Sequence, residues 1–265
     1  MGAGLSAAAG LPTFRGTNGL WTADAHLAKT DPSLKHWRGE VAGLPQPTDA
    51  HRALVELEKR GYIHHLASQN YDDILGRAGF PRAKMGELHG NIFIERCCRC
   101  DHEYHRDFEV ELASAKDHET GRFCDAVFKN GKICEGELHD TIIHFGENLP
   151  WNALTLSNAK FVGSDLSIAI GTSLRVEPAA SMPFKAKSRQ RVIEGSSTVL
   201  TSRRSVIINL QPTLKDAHAD LCIYGRCDDV MQRLMVLLAN FPAKATASSI
   251  STAKAVQLKS ATHMM

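Results

Sequence analysis

The chain has 265 residues, and its 31 basic and 29 acidic side chains leave a formal net charge of +2, so no overall positive field draws it to nucleic acid. A hydrophobic fraction of 43% and a charged fraction of 23% are typical of a folded domain with its own core. Because no apolar run approaches the roughly 20 residues of a membrane-spanning helix, we expect no membrane partner, and we see no secretory leader.

The first predicted element is a loop of small residues, 2–10, which we expect to open a helix. Glycines let a backbone approach a phosphate, and a helix N-terminus supplies free N–H groups, although such loops are about as often packing turns. The spacing is not the dehydrogenase G-x-G-x-x-G, and no acidic residue closes a second strand about 20 residues later. An ordinary hydride-transfer enzyme is therefore disfavoured.

Helical spacing follows from Asp49 to Arg60, and Gly61 stops the helix. Its apolar face carries Ala50, Ala53, Leu54 and Leu57. Residues 62–67 are apolar enough for a short buried strand, which ends in the polar cluster 68–72.

Later apolar runs predict three further strands, at 166–170, 205–208 and 221–224. A helix follows the last, with one face formed by Met231, Leu234, Met235 and Leu238. Strands that alternate with helices predict an α/β fold with a parallel sheet, and glycine or polar clusters at the strand ends mark its ligand-binding edge. We expect an exposed loop at Glu194–Arg204 and a disordered tail at 243–265.

Seven cysteines are an odd number, and their clustering favours a reducing compartment and metal binding over a disulfide framework. Two mid-chain pairs predict a structural zinc site, against the alternative of unrelated buried thiols: Cys97, Cys100, Cys124 and Cys134. Cys98 could replace a member of the first pair, and His102 or His105 could substitute as a ligand. The charged segment from Arg96 to about Glu137 is therefore predicted to be an inserted zinc module.

Polar side chains at the end of the 62–67 run form a second candidate group. The amides of Gln69 and Asn70 and the carboxylate of Asp72 can hydrogen-bond ribose hydroxyls and a carboxamide, or simply cap a helix and a turn. His89 lies between polar turns, and an unperturbed pKa of about 6.5 suits a base at neutral pH. Any one of the 13 histidines is nevertheless more often structural or exposed.

Taken in order, these segments resemble the sirtuins from residue 2 to about residue 240. The matching motifs are Gly2-Ala3-Gly4-x-Ser6, Leu11-Pro12-Thr13-Phe14-Arg15-Gly16, Gln69-Asn70-x-Asp72, Leu88-His89-Gly90, the cysteine pairs, Gly171-Thr172-Ser173 and Asn209-Leu210-Gln211. Features similar to the nuclear, chromatin-associated branch are Asn18-Gly19-x-Trp21, the wide second cysteine pair, and Asn209-Leu210-Gln211-Pro212-Thr213 followed by His218-Ala219-Asp220.

The resemblance implies a Rossmann-like, NAD-binding large domain in two parts, 1–95 and 138–242, with the small zinc-binding domain 96–137 inserted between them. It also implies an NAD-dependent protein-lysine deacylase, a transferase-class enzyme that consumes NAD and releases nicotinamide and O-acyl-ADP-ribose. By the family pattern His89 is the general base, and Asn70 and Asp72 hold the nicotinamide ribose and carboxamide.

The resemblance extends to the remaining cofactor contacts. Gln69 and Arg15 would position ribose and phosphate, and Phe14 would shield the cleaved face. The other matched NAD contacts are Ala3, Gly4, Ala7, Trp21, Gly171, Ser173, Asn209, Gln211 and Cys227. Zinc would be structural, because four cysteines leave no open position.

The chain departs from the family pattern in four places. Met1 stands where family members have a Thr at the end of a hydrophobic strand. We therefore expect that first strand to be missing from this sequence, and a truncated gene model or a fragment is the preferred explanation. Thr13 replaces the usual Asp, as in some mitochondrial members, and Asp73 replaces a common glycine, which could alter the turn. The segment Glu194–Arg204 is longer than the family's connection.

The expected substrates are acylated lysines of proteins, histones among them, in the nucleus, with the cytoplasm left open. Two alternatives remain: mono-ADP-ribosyl transfer to protein on the same fold, and a non-catalytic chromatin scaffold that binds NAD or acyl-lysine. A zinc-ribbon nucleic-acid binder is less favoured, because aromatic residues make up only 6% of the chain and no basic stripe accompanies them.

Overall fold

The computed structural model describes residues 1–15, 43–110, 117–186, 189–192, 198–201 and 203–239. The α-helices of these ranges are α1 (Asp49–Lys59), α2 (Ile74–Arg77), α3 (Trp151–Gly163) and α4 (Cys227–Ala239). The strands are β1 (Leu66–Ser68), β2 (Met85–Glu87), β3 (Ile94–Cys97), β4 (Glu103–His105), β5 (Glu119–Phe123), β6 (Glu137–Asp140), β7 (Leu166–Ile170), β8 (Arg189–Val192), β9 (Thr198–Thr201), β10 (Arg204–Asn209) and β11 (Leu221–Tyr224). Within the described ranges, no helix combines the length and apolar character needed to cross a membrane.

Three strands from the second half of the chain form a parallel sheet in the order β11–β10–β7. Val206 in the central strand pairs with Ile168 on one side and Leu221 on the other. Buried positions alternate with more exposed ones along most of β7 and β10, and Ala169 and Ile207 are buried. The three strands predicted from periodicity are confirmed, and β11 has the expected bounds.

A second parallel pair, β1 and β2, lies beside the first residues of the chain. The amino group of Met1 donates to the carbonyl of Ala67 (2.7 Å), and the amide of Gln69 donates to the carbonyl of Met1 (3.1 Å). The amide of Gly2 donates to the carbonyl of Ile170 at the end of β7 (3.1 Å). Residues 1 and 2 therefore connect the two parallel sheets by backbone hydrogen bonds.

Helices α1 and α4 cover one side of this arrangement. Thr48 and His51 form a capping box at the start of α1, which satisfies backbone donors that a helix start leaves free. The predicted face of α1 packs into the main apolar cluster, together with Met231 of α4. The amide of Ala50 donates to the carboxylate of Asp228 (2.7 Å), so the two helix starts are also joined by a polar contact.

The cysteine-bearing segment forms an antiparallel sheet in the order β4–β3–β6–β5. Its buried carboxylate, Glu95, accepts hydrogen bonds from Arg106 and Arg122, each at 2.6 Å. Burial would raise the pKa of Glu95, but hydrogen bonds from Thr120 and these two guanidinium groups outweigh it and lower the pKa. A paired, ionised carboxylate thus lies inside the small sheet.

Two predicted elements near the start of the chain differ from the structure. Residues 3–5 and 7–9 form short 3-10 turns instead of the start of an α-helix, and Gly10 ends them in the left-handed region at φ 85°. Of the predicted strand 62–67, only its last two residues join β1. The amide of Tyr62 instead donates to the carbonyl of Leu57 (2.9 Å), because this segment closes the C-terminus of α1.

The predicted exposed loop Glu194–Arg204 is also partly wrong. Thr198–Thr201 forms β9, which pairs antiparallel with β8, and Arg204 already begins β10. The predicted tail 243–265 lies outside the described residues.

Candidate functional site

Four cysteine side chains converge beside the antiparallel sheet. The sulfurs of Cys97 and Cys134 are 3.6 Å apart, as are those of Cys100 and Cys124, and all four lie within 4.8 Å of one another. A disulfide would need about 2.05 Å. Tetrahedral zinc with Zn–S bonds of about 2.3 Å places its sulfurs about 3.8 Å apart, so the residues fit a zinc ion with every position filled.

Because neighbouring strands are antiparallel, the small sheet brings these cysteines together at one of its ends. They lie at the end of β3, in the turn before β4, directly after β5 and shortly before β6: Cys97, Cys100, Cys124 and Cys134. The structure brings none of the alternative ligands Cys98, His102 and His105 into this group.

His89 follows β2 at the carboxyl end of that strand, on a segment held by the amide of the buried Leu88. Its Nδ1 lies 2.9 Å from the backbone carbonyl of Gln69. Since a carbonyl only accepts hydrogen bonds, Nδ1 carries the proton and Nε2 keeps its lone pair. Burial lowers the pKa of His89 against the opposing effect of this hydrogen bond, so the ring is a neutral base at pH 7.

The loop that carries His89 is fixed against the end of the small sheet. Gly90 has φ 79°, and a Cβ there would lie 1.8 Å from the carbonyl oxygen of Thr141. The amide of Ile143 donates to the carbonyl of His89 (3.2 Å). Only glycine satisfies both the left-handed backbone and this close approach.

Asn70 and Asp72 point toward the glycine loop and meet Ser6. The amide nitrogen of Asn70 donates to the carbonyl of Gly2 (3.2 Å) and to Ser6 Oγ (3.1 Å). Ser6 in turn donates to Asp72 Oδ2 (2.6 Å), while Asp72 Oδ1 accepts from the amide of Ile74 at the start of α2 (3.0 Å). Burial raises the pKa of Asp72, although these two hydrogen bonds oppose it. Asp72 therefore also makes the turn contact of the simpler interpretation, whereas Asp73 is the N-cap residue of α2.

The glycine loop packs against the end of β7. The amide of Gly4 donates to the carbonyl of Gly171 (2.8 Å), and a Cβ on Gly4 would lie 2.9 Å from that oxygen. Arg15 donates to Ser173 Oγ (3.4 Å), and the side chain of Gln69 donates to Thr172 Oγ1 (3.2 Å). Several predicted cofactor contacts thus meet at the carboxyl end of β7, and the cationic side chain of Arg15 is one of them.

The remaining predicted residues are more scattered. Ala3 and Ala7 begin the two 3-10 turns, and Phe14 is half-buried beside Arg15. The predicted residues at the end of β10 are joined by a hydrogen bond from the Asn209 side chain to the carbonyl of Gln211 (2.8 Å). Cys227 is buried at the start of α4, where burial raises its pKa to about 11. Trp21 lies outside the described residues.

Three polar residues of this region were not given roles from the sequence. Ser6 connects Asn70 to Asp72, Thr172 contacts Gln69, and the fully buried Asn91 fixes the loop after His89. A signal existed for Asn91, since it directly follows the predicted base and its glycine. Ser6 and Thr172 also lie within matched motifs, Gly2-Ala3-Gly4-x-Ser6 and Gly171-Thr172-Ser173, but the sequence did not show which partners their side chains would contact.

A parallel α/β sheet with glycine and amide groups at its carboxyl edge, joined to a four-cysteine module, defines the class of dinucleotide-binding proteins with an inserted zinc module. The model of the "Sir2 family" matches residues 2–178. The chain belongs to the Sir2 family.

Relatives and solved structures agree with this assignment. The chain is 38% identical over 248 residues to "NAD-dependent protein deacetylase sirtuin-7" of Bos taurus, covering 88% of the chain and 54% of the relative. It is 37% identical over 241 residues to "NAD-dependent protein deacetylase SRT1" of Oryza sativa subsp. indica, covering 89% and 44%. The chain therefore spans about half the length of these curated relatives.

Among solved structures, a Sir2 homologue in complex with ADP-ribose is similar, with TM-score 0.65 and 30% identity over 90% of this chain and 89% of that one. The structure titled "Sir2-p53 peptide-NAD+" has TM-score 0.60 and 28% identity, covering 90% and 91%.

Proposed function

We propose that the protein is an NAD-dependent protein-lysine deacylase that releases nicotinamide and O-acyl-ADP-ribose. The similar proteins from cattle and rice are named NAD-dependent protein deacetylases, and one similar structure holds both NAD⁺ and a p53 peptide. The single observation that carries the proposal is the orientation of His89. Its proton is held on Nδ1 by the Gln69 carbonyl, so the neutral Nε2 is the acceptor.

In this proposal the bond between nicotinamide and the ribose of NAD breaks, and the carbonyl oxygen of the acyl-lysine forms a bond to the anomeric carbon that nicotinamide leaves. His89 Nε2 accepts the proton of a ribose hydroxyl, a role that contributes about 10²–10⁴-fold in rate for a base with a suitable pKa. Asn70 and Asp72 hold the nicotinamide ribose and carboxamide. Their existing hydrogen bonds to the glycine loop orient both side chains before the co-substrate arrives.

The proposed cofactor contacts have physical support in the same edge of the sheet. Arg15 beside Ser173 offers a cation and a hydroxyl for phosphate, and Gln69 positions the ribose. Gly4 and Gly171 approach each other closely and carry no side chains, so their backbone is accessible beside Arg15 and Ser173. Phe14, next to Arg15, would exclude water from the cleaved face.

We further propose the division into a nucleotide domain, 1–95 and 138–242, and a zinc module, 96–137. Zinc is assigned a structural role, because its four sulfur ligands leave no position for water or substrate. The proposed targets are acyl-lysines of histones or other chromatin proteins in the nucleus, a proposal that rests on the sequence motifs similar to the nuclear, chromatin-associated branch.

The test is nicotinamide release by the 265-residue chain incubated with NAD⁺ and an acetylated histone H3 peptide. His89→Ala should lower the rate by about 10²–10⁴-fold with unchanged zinc content. His64→Ala, a change at an exposed histidine of the preceding segment, is the matched control and should keep the wild-type rate.

The products separate the alternatives. Formation of O-acetyl-ADP-ribose in an amount equal to the nicotinamide released supports deacylation. Formation of protein-bound ADP-ribose in place of O-acetyl-ADP-ribose would favour the ADP-ribosyltransferase. A wild-type protein that binds NAD⁺ without releasing nicotinamide would favour the scaffold. Wild-type activity in His89→Ala would overturn the assignment of the base.

A further inference from the structure

A second group of metal-binding side chains lies on the exposed face of the small sheet. Cys98, Glu137 and His139 bring a thiol, a carboxylate and an imidazole within 4.8 Å of one another. We propose that these three residues bind a second divalent metal ion, Zn²⁺ by donor chemistry, at a site separate from the four cysteines.

The register of the sheet produces this cluster. β3 and β6 are antiparallel, with Cys97 paired to Leu138, and the amide of Cys98 donates to the carbonyl of Glu137 (3.0 Å). Cys98 and Glu137 therefore stand opposite each other. His139 lies two residues after Glu137, so its side chain emerges on the same face of the strand.

The same alternation separates the second site from the first. Cys97 and Leu138 are 0% and 1% exposed on the inner face, whereas Cys98 and Glu137 are exposed on the outer one. A thiol on the outer face cannot join the inner four sulfurs without reversing the strand. Cys98 thus has a set of partners of its own.

Charge on this face favours a cation. Arg96, the nearest base in the register, is paired with Glu103 at 2.6 Å, so its positive charge is compensated. Glu119 stands opposite His139 on the far strand and adds a further carboxylate. Beyond that ion pair, the carboxylates of Glu137 and Glu119 lie beside the thiol of Cys98 and the imidazole of His139.

The donor set indicates which metal would bind. Thiolate and imidazole ligands suit zinc, and three protein ligands leave a fourth position for water or an incoming ligand. Binding releases the thiol proton of Cys98 to solvent, so no oxidant or reductant is needed. Solvent exposure and the missing fourth ligand make this site weaker than the four-cysteine site, and it would exchange metal while the first zinc stays bound.

The test is titration with Co²⁺ of the protein that already holds its structural zinc. We expect one further equivalent, with the near-ultraviolet charge-transfer absorption of a cobalt–thiolate bond. Cys98→Ser should abolish that absorption while retaining the first zinc, and His139→Gln should weaken Co²⁺ binding at least about tenfold. Cys222→Ser, at a partly exposed cysteine on β11, is the matched control and should bind like wild type.

A second readout uses the thiol directly. Alkylation of Cys98 by iodoacetamide, followed by mass spectrometry, should slow when Zn²⁺ is added beyond the structural equivalent, and His139→Gln should remove this protection. The proposal is overturned if wild-type protein binds no further Co²⁺. An unchanged further equivalent in Cys98→Ser overturns it as well.

Discussion

Asp73 provides a sharp test of how a buried polar network offsets backbone strain. It precedes α2 with φ 54° and ψ 8°, a left-handed conformation that costs a non-glycine residue about 1 kcal/mol. Its side chain is buried, and Oδ1 accepts hydrogen bonds from Arg82 (2.6 Å) and Asn91 (2.9 Å). Strain and hydrogen bonding therefore act in opposite directions.

The magnitudes favour the hydrogen bonds. Asp73→Gly would relieve about 1 kcal/mol of strain but lose a charge-assisted bond to Arg82, about 1.5–3 kcal/mol, and the bond to Asn91, about 0.5–1.5 kcal/mol. Glycine also adds about 0.5–1 kcal/mol of chain entropy to the unfolded state. Arg82 is 35% exposed, which discounts its share, so the expected net destabilisation is about 2 kcal/mol.

Thermal and urea unfolding of the wild type, Asp73→Gly and Asp73→Asn measure this balance. The glycine variant should melt about 4–8 °C lower. Asn tolerates the left-handed region and keeps an acceptor for Arg82, so Asp73→Asn should lose only about half as much. A glycine variant as stable as the wild type, or more stable, would show that strain outweighs the network and would refute the reasoning.

Three further predictions concern the base, the zinc and a histidine bridge. Burial lowers the pKa of His89, so kcat/KM should stay constant as the pH falls to the ordinary histidine pKa of about 6.5 and should decrease only at a pH below that value. A decrease in kcat/KM that begins above a pH of about 6.5 would contradict the assignment of His89 as the base. Cys97→Ser and Cys134→Ser should each lose zinc and loosen the small sheet, and full zinc retention in both would refute the ligand set. Hydrogen bonds to Glu147 and to the carboxylate at the end of β6 outweigh burial and raise the pKa of His118. Its stabilisation is then complete below its unfolded pKa of about 6.5 and is lost as pH rises through the higher folded value, so His118→Gln should cost more stability near pH 5.5 than near pH 8.5. An equal loss of unfolding free energy in His118→Gln at both pH values would rule out a raised pKa for His118.

Much of the fold followed from local pattern. The strands 166–170 and 221–224 and the helix after Asp49 are confirmed, because each has a clear apolar period and a glycine or polar residue at its end. The run 62–67 was less predictable, because a short apolar segment can equally close a helix, as Tyr62 does against Leu57.

The site itself depends on contacts between residues far apart in sequence. Ser6 and Asp72 are separated by 66 positions, and no local pattern predicts that they touch. The tautomer of His89 likewise depends on the carbonyl of Gln69, 20 positions earlier. The residue types could be chosen from the sequence, but their protonation and orientation required the packed sheet.

The small antiparallel sheet that carries the cysteines also supports the proposed base, although the zinc site has no open position for substrate. β6 runs directly into Thr141, whose hydroxyl donates to the carbonyl of Asn91 (2.9 Å) and accepts from its amide (3.1 Å). Asn91 lies two residues after His89, so the end of the small sheet fixes the loop that orients the imidazole.

Thr141→Val keeps the shape of the side chain but removes both of these bonds, each worth about 0.5–1.5 kcal/mol. The catalytic geometry should loosen and kcat fall about tenfold, which equals about 1.4 kcal/mol of barrier, while zinc content stays at the wild-type level. Steady-state kinetics with metal analysis measures both quantities. An unchanged kcat would mean that the hydrogen bonds of Thr141 to Asn91 do not orient His89 and that the end of the small sheet contributes only to stability.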